Sequence, residues 1–276
     1  MILRCGRYAL APDRPLLMGV LNVTPDSFSD GGRFLHREAA ISHARRLAAE
    51  GADLLDIGGE SSRPGAAPVG EDEELDRILP VLDALRDLPL PLSVDTRRPR
   101  VMREALAAGA SMINDIEALE APGALAAVAS SSCCVCLMHK KGDPATMQRD
   151  PVYADVVAEV KTYLAARIAA CEAAGIARGR IVGDPGFGFG KSAAHNLEML
   201  RRLDEFAELG VPIASGWSRK STLGAITGRP ADERLAASLS AALLSAQAGA
   251  TILRVHDVKE TRDALAVWLA LRATNA

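Results

Sequence analysis

Short apolar runs alternate along this chain with longer stretches in which apolar residues recur every three or four positions. The first run, Leu16–Val23, is apolar throughout except for Asn22. A run without polar alternation suits a strand covered on both faces, as in a parallel sheet. It breaks at Thr24-Pro25 into a loop of Asp, Ser and Gly, where turn chemistry replaces periodicity. The plan then repeats. Strands are predicted at Leu16–Val23, Leu54–Ile57, Leu92–Val94, Ser111–Ile113, Cys133–Met138, Arg180–Val182, Val211–Ala214 and Thr251–Val255. Helices are predicted at Glu38–Glu50, Glu71–Leu85, Arg100–Ala108, Gly123–Ala129, Val152–Ala174, Asn196–Leu209, Asp232–Ala248 and Lys259–Ala273. Gly51, Gly109, Gly175 and Gly210 stand just after helices, where C-capping favours them.

Strand–helix alternation of this kind predicts an α/β fold, a parallel sheet wrapped by helices. Eight such units in about 250 residues fit a single (β/α)8 TIM barrel. An open doubly wound sheet is the runner-up. It would more naturally carry Gly-x-Gly-x-x-Gly after its first strand, and none stands there. The chain, 1–276, reads as one domain with its barrel core at about 16–273. The residues before Leu16 read as a short hairpin or cap beneath the barrel.

Composition narrows the function classes. A hydrophobic content of 49% supports a sizeable core. A net charge of −3 gives no global attraction to nucleic acid or an anionic membrane. Aromatic residues make up 4% of the chain, too few for a base-stacking platform. No apolar run of membrane-spanning length, signal peptide or lipidation motif is visible, which points to a soluble cytoplasmic protein. Cysteines fall at Cys5, Cys133, Cys134, Cys136 and Cys171. Cys133 and Cys136 have Cys-x-x-Cys spacing, but no second Cys/His pair completes a zinc site. They read instead as small apolar residues of a buried strand in a reducing compartment.

The candidate chemistry lies at strand ends. Asn22, Asp56, Asp95, Asn114, Asp115, His139, Asp184, Lys220, Arg254 and His256 fall within or at the carboxyl ends of predicted strands. In a barrel those ends converge on one face, where the active site is built. A lone Asp there is usually a turn residue or N-cap, an equally good account of Asp115 and of Thr96. The whole set is not explained that way. Asn114 and Asp184 can exchange paired hydrogen bonds with a flat heterocycle. Ser218-Arg219-Lys220-Ser221 follows the seventh strand, and Arg254 and His256 lie on the eighth, the usual phosphate-binding corner of a barrel. Arg254 and His256 alternate along their strand and so share a face. The loop Asp184–Lys191 is glycine-rich but lacks P-loop spacing; close backbone approach to a planar ligand, or a mobile lid, suits it as well. His139 is equally well explained as structural. Long polar loops are predicted at Thr24–Leu35, Ser61–Glu71 and Lys140–Pro151. In the second, Ser62-Arg63-Pro64-Gly65 offers a hydroxyl and a cation to a carboxylate, or forms only a surface turn.

These stretches together resemble the bacterial dihydropteroate synthases over nearly the whole chain. The resemblance is carried by Leu21–Gly32, Asp56–Ser61, Ser93–Thr96, Asn114-Asp115, Met138-His139, Gly142–Gln148, Asp184–Lys191, Ser218–Ser221 and Arg254–Val258, in order and at family spacing. It implies a TIM barrel that joins 6-hydroxymethyl-7,8-dihydropterin diphosphate to para-aminobenzoate, giving 7,8-dihydropteroate and diphosphate in folate synthesis. It implies that Asp95, Asn114, Asp184 and Lys220 bind the pterin. Asn22, Arg254 and His256 would hold the diphosphate, with Asn22 also on its Mg2+ ion. Ser62, Arg63, Pro64 and Ser221 would serve para-aminobenzoate. Asp95, Asp184, Lys220 and Arg254 would carry the catalysis. The family is typically a homodimer through late helices. Departures from the usual pattern are Ser62 for threonine, Lys140-Lys141 for Met-Gln, and Trp217 for a smaller or thioether residue. The first keeps a hydroxyl and loses a methyl where para-aminobenzoate, and the sulfonamides that mimic it, would pack.

Three rivals remain at this stage. A pterin-binding methyltransferase would share the pterin carboxylates but needs no diphosphate clamp at Arg254 and His256. An aldolase-type barrel would use Lys220 as a Schiff base, against which Arg219 and two neighbouring serines argue. A catalytically silent pterin-binding paralogue is disfavoured by the intact strand-end set.

Overall fold

The computed structural model describes residues 2–11, 13–23, 33–60, 69–142, 147–148 and 150–273. It opens with a hairpin, β1 (Leu3–Cys5) paired antiparallel with β2 (Tyr8–Leu10). Eight parallel strands follow: β3 (Leu16–Asn22), β4 (Leu54–Gly58), β5 (Leu92–Asp95), β6 (Met112–Asp115), β7 (Cys134–Met138), β8 (Ile181–Asp184), β9 (Ala214–Ser215) and β10 (Ile252–Val255). Their order is β8-β7-β6-β5-β4-β3-β10-β9. The seam between β8 and β9 is crossed by a parallel bridge from Gly183 to Ile213, with Gly183 N donating to Pro212 O at 2.9 Å. The sheet is thus a nearly closed barrel, as the alternation predicts.

Around it lie α1 (Arg33–Ala49), α2 (Glu71–Ala84), α3 (Pro99–Ala107), α4 (Ala124–Ala129), α5 (Val156–Ala173), α6 (Ala193–Arg201), α7 (Ser221–Thr227), α8 (Leu235–Gln247) and α9 (Val258–Ala273). Local chemistry moves several predicted bounds. α5 starts four residues late because Asp155 caps it, accepting from Val157 N and Ala158 N. The single helix predicted over Asn196–Leu209 is two: α6, opened by a Ser192–His195 capping box, and a 3-10 turn over Leu203–Leu209. α7 is not among the predicted helices; it is only seven residues long, too short for a periodic signal, and ends at Gly228 with φ +69°. β9 is shifted along the chain from its predicted place and is only two residues long.

Alternation along each strand divides two environments. Outward residues such as Leu17, Leu55, Val94, Ile113, Val135 and Leu253 join the helices in the main apolar cluster. Inward residues of the lower barrel, Leu16, Met18, Leu54, Met112, Cys134, Cys136, Val182, Ala214 and Ile252, form a second cluster. Leu3 and Cys5 of the hairpin close this cluster from below, with Gly6 N donating to Ser132 O at 3.0 Å. The predicted cap is therefore a plug. All five cysteines are buried free thiols. Cys133 packs outward and Cys136 inward, on opposite faces of the strand, so their spacing makes no site. Among the described residues, no helix is long and apolar enough to cross a membrane.

Candidate active site

On four strands the side chain two residues above an inward apolar position is polar. Leu54 is followed on its face by Asp56, Met112 by Asn114, Val182 by Asp184, and Ile252 by Arg254 and then His256. The parallel register sets Asp56 beside Ser93, and Asp95 beside Asn114. On these strands the barrel changes from an apolar floor to a polar mouth.

Asp56 is the hub. It is fully buried and accepts from Ser93 Oγ at 2.7 Å, Asn114 Nδ2 at 2.9 Å and Arg254 Nε at 2.6 Å. Arg254 reaches on to Asp95 Oδ2 at 3.1 Å. One guanidinium thus spans two carboxylates and keeps further N–H donors for an anion. Burial would lower its pKa, but Asp56 and Asp95 raise it, so it stays charged. Asp95 moves the other way: burial first, then the neighbouring Asp56, pushes it up to about 7, against the pull of Arg254.

Across the mouth stands Asp184, whose carboxylate accepts from Gly186 N at 2.7 Å. Burial raises its pKa, while Lys220 and that backbone N–H oppose the rise. Lys220 is the N-cap residue of α7; its amine donates to Phe187 O at 2.5 Å and lies 4.8 Å from the Phe189 ring centroid. Burial lowers its pKa to about 8 against the attraction of Asp184. Two glycines leave the mouth open. A Cβ on Gly58 would stand 3.7 Å from the Asp95 Cβ and 3.8 Å from Asn22 Oδ1. A Cβ on Gly216 would stand 3.7 Å from Lys220 Nζ.

The predicted set is brought together unevenly. Asp95, Asn114, Asp184, Lys220 and Arg254 converge, with Asn22 at the end of β3. His256 sits one inward step beyond Arg254, its Nδ1 2.9 Å from Ser218 Oγ. Ser221 is exposed at the start of α7. Ser62, Arg63 and Pro64 lie outside the described residues, as do most of the first long loop and 143–146 of the third.

Other strand-end residues serve the scaffold. Asp115 accepts from Glu117 N and Leu119 N, both at 2.8 Å, and so forms a turn. Thr96 Oγ1 accepts from Arg98 N at 3.3 Å in a similar role. Arg219 turns outward to pair with Asp257. Lys140 pairs with Glu117, and Lys141 with Glu159 and the Val152 carbonyl, so both added cations are already engaged. Trp217 packs on Phe187, ring centroids 4.6 Å apart. His139 lies behind the mouth, edge-on to Tyr163 at 5.0 Å. Burial and the adjacent Lys191 push its pKa down to about 3, so it is neutral. Sequence reasoning placed Ser93, Ser218 and Asp56 in motifs but gave none of them a role of its own. The available signal was position: Asp56 occupies the inward step two residues after Leu54, level with Ser93.

Comparison with known proteins agrees with this geometry. A family model described as pterin binding enzyme matches residues 18–256. The dihydropteroate synthase of Neisseria meningitidis serogroup B is 51% identical over 275 residues, covering 97% of this chain and 96% of the relative. The Xanthomonas albilineans dihydropteroate synthase solved with 4-aminobenzoic acid superposes with TM-score 0.92 at 54% identity, covering 99% of this chain and 98% of that one. The same enzyme solved with 7,8-dihydropteroate gives TM-score 0.91 at 52% identity, covering 99% of both chains. With the family match spanning the barrel from β3 to the end of β10, and relatives of this likeness alike along almost their full length, the chain belongs to the pterin-binding enzyme family, among its dihydropteroate synthases.

Proposed function

We propose that this transferase joins 6-hydroxymethyl-7,8-dihydropterin diphosphate to para-aminobenzoate, releasing diphosphate and forming 7,8-dihydropteroate. The observation that carries the proposal is the Arg254 guanidinium held between Asp56 and Asp95, facing Asp184 and Lys220 across the mouth. It sets an anion-binding cation beside carboxylates and an amide suited to a pterin edge. Asp95, Asn114, Asp184 and Lys220 orient the ring. Arg254, His256 and Asn22 take the diphosphate.

In the reaction, the bond from the pterin methylene to the diphosphate oxygen breaks and the electron pair leaves with the diphosphate. Cationic donors lower the cost of that departing charge. The methylene cation is stabilised by its ring and by the ionised Asp95 and Asp184. The aryl amine then forms the new C–N bond and loses its extra proton to water. The step is a dissociative substitution under electrostatic control.

Mg2+ fits as part of the substrate. Among the described residues no group of three His, Cys, Asp or Glu could hold a resident metal ion. Asn22 offers one neutral oxygen, the kind of sparse ligation Mg2+ accepts when phosphates supply the rest. Bound on the diphosphate, the ion would neutralise charge on the leaving group. We also read the protein as cytoplasmic, in keeping with its five free thiols, and as a homodimer through its late helices. Ile226 on α7, Leu244 on α8 and Val267 on α9 are large exposed apolar residues that such pairing would cover.

Diphosphate release by the purified enzyme with Mg2+ is expected to depend on para-aminobenzoate. Release that ignores para-aminobenzoate, or none at all with pterin still bound, would move the methyltransferase or the silent paralogue forward. A narrow pH profile is also expected. Asp95 must ionise, so kcat/KM rises through about pH 7; Lys220 must stay protonated, so it falls through about pH 8. An activity flat from pH 6 to 9 would contradict these roles.

A further inference from the structure

The glycine-rich loop between Asp184 and Lys191 is held from behind by a buried lysine amine that the proposed reaction does not touch. Lys191 is 2% exposed. Its Nζ lies 3.0 Å from Gly186 O, 3.0 Å from Phe189 O, 3.3 Å from His139 O and 2.9 Å from His139 Nδ1. Three carbonyl dipoles and one imidazole nitrogen thus converge on one amine, and no carboxylate is among these partners. Burial pushes the Lys191 pKa well below the ordinary lysine value, so what holds the loop is the donor geometry of the amine, each of whose protons has an acceptor here. His139 is neutral, so in the tautomer protonated at Nε2 its Nδ1 accepts from this amine.

The loop also lies flush on the chain after β7. A Cβ on Gly186, at φ +69°, would fall 1.9 Å from His139 O. A Cβ on Gly190, at φ +64°, would fall 2.2 Å from Lys141 O. Carbonyls packed this closely repel one another unless a donor sits among them. On its other side the loop faces the active site. It gives Phe187 O to the Lys220 amine at 2.5 Å and sets the Phe189 ring 4.8 Å from the same amine. Gly188 N, between them, donates to Asn196 Oδ1 at 2.7 Å.

We propose that Lys191 is the positioning amine of this loop: by gathering the Gly186, Phe189 and His139 carbonyls, it fixes where Phe187 O and the Phe189 ring meet Lys220. The kinetic consequence rests on the reading of Lys220 as a pterin-binding cation; the loop-holding itself does not. Without the amine the carbonyls separate, the loop relaxes, and water reaches Lys220. Burial is the main cause of the lowered Lys220 pKa, so its relief raises that pKa towards the ordinary lysine value.

The test is Lys191→Met, which keeps the length and removes the donors. The two tryptophans are Trp217 and Trp268, so a Trp268→Phe background leaves Trp217, stacked on Phe187, as a fluorescent reporter of the loop. Lys191→Met is expected to shift Trp217 emission, to lower kcat/KM on the order of 10²-fold, as small misplacements near reacting groups do, and to move the alkaline limb above about pH 8. His139→Leu, which removes one of the four acceptors, is expected to give smaller changes of the same sign. Wild-type emission and an unmoved alkaline limb in folded Lys191→Met would overturn the proposal. Should that variant not fold, an unaltered emission and limb in His139→Leu would overturn it. Should the wild-type enzyme release no diphosphate, the functional reading fails alone, and Trp217 emission still decides whether Lys191 holds the loop.

Discussion

Exchanging Asp184 for asparagine is expected to weaken binding of the dihydropterin diphosphate on the order of 10³-fold while leaving the barrel folded. The exchange is nearly isosteric. The asparagine oxygen can still accept from Gly186 N, so the turn after β8 keeps its tie. What disappears is the charge. Two hydrogen bonds from a pterin edge to an ionised carboxylate contribute about 1.5–3 kcal/mol each, and an amide replaces one acceptor with a donor that faces another donor. Stability should hold or rise slightly, because burial already disfavours the ionised form of Asp184. A second signature is electrostatic. Asp184 is the largest influence raising the Lys220 pKa, so its loss moves the alkaline limb of kcat/KM below about pH 8. That shift is opposite in sign to the one expected from Lys191→Met. Calorimetric titration with the pterin substrate, beside a thermal melt, checks the prediction; near-native affinity in the variant would remove Asp184 from the pterin site.

Arg254→Ala is expected to lower kcat/KM on the order of 10³-fold and to destabilise the fold by about 3 kcal/mol. The kinetic loss follows from removing the cation that meets the leaving diphosphate. The stability loss follows from leaving Asp56 and Asp95 without the guanidinium that separates them. Asp56 retains Ser93 and Asn114, whereas Asp95 loses the cation that pulls its pKa down. Asp95 then stays protonated to higher pH than about 7. A folded-state pKa raised above the unfolded value means that the folded protein binds the extra proton. Stability therefore falls as pH rises from the ordinary carboxylate range to the folded pKa, and the variant extends that window upwards. The destabilisation should be larger at pH 8.5 than at pH 6 in matched denaturant titrations. Arg254→Lys, a point charge without the fork, should recover part of the stability and little of the rate. An Arg254→Ala enzyme with native kinetics and only a lowered melting temperature would reduce Arg254 to a structural role.

Both variants probe a cluster whose charged members, Asp56 included though without a role, could be named from sequence, and the reason is geometric. Period-two alternation places Arg254 and His256 on one face whatever the rest of the fold does. Apolar residues two positions before Asp56, Asn114, Asp184 and Arg254 mark that face as the inner one. Alternating units then force the strand ends to one side. Short-range pattern was less informative where the backbone leaves regular geometry. Arg219 and Lys220 are adjacent cations of equal standing in sequence. A positive φ of 60° at Arg219 sends its side chain out to Asp257, while Lys220 faces Phe187 O. Lys140 and Lys141 stand next to His139 in sequence; Glu117 and Glu159, distant in sequence, claim them. The seven-residue α7 carries too few turns for periodicity to register.

The sequence by itself determined the barrel, the inner face of each strand and the identity of the strand-end residues, because these follow from periods of two and 3.6 and from the order of the elements. Only the tertiary structure decided the partners. Asp56 became the hub because parallel register sets it level with Ser93 and within reach of Asn114 and Arg254, 58 and 198 positions away. Lys191 became the buried donor of its loop because the turns at Gly186 and Gly190 fold three carbonyls around it. Protonation followed from burial and from charges brought together by closure of the barrel, quantities that no local stretch of chain contains.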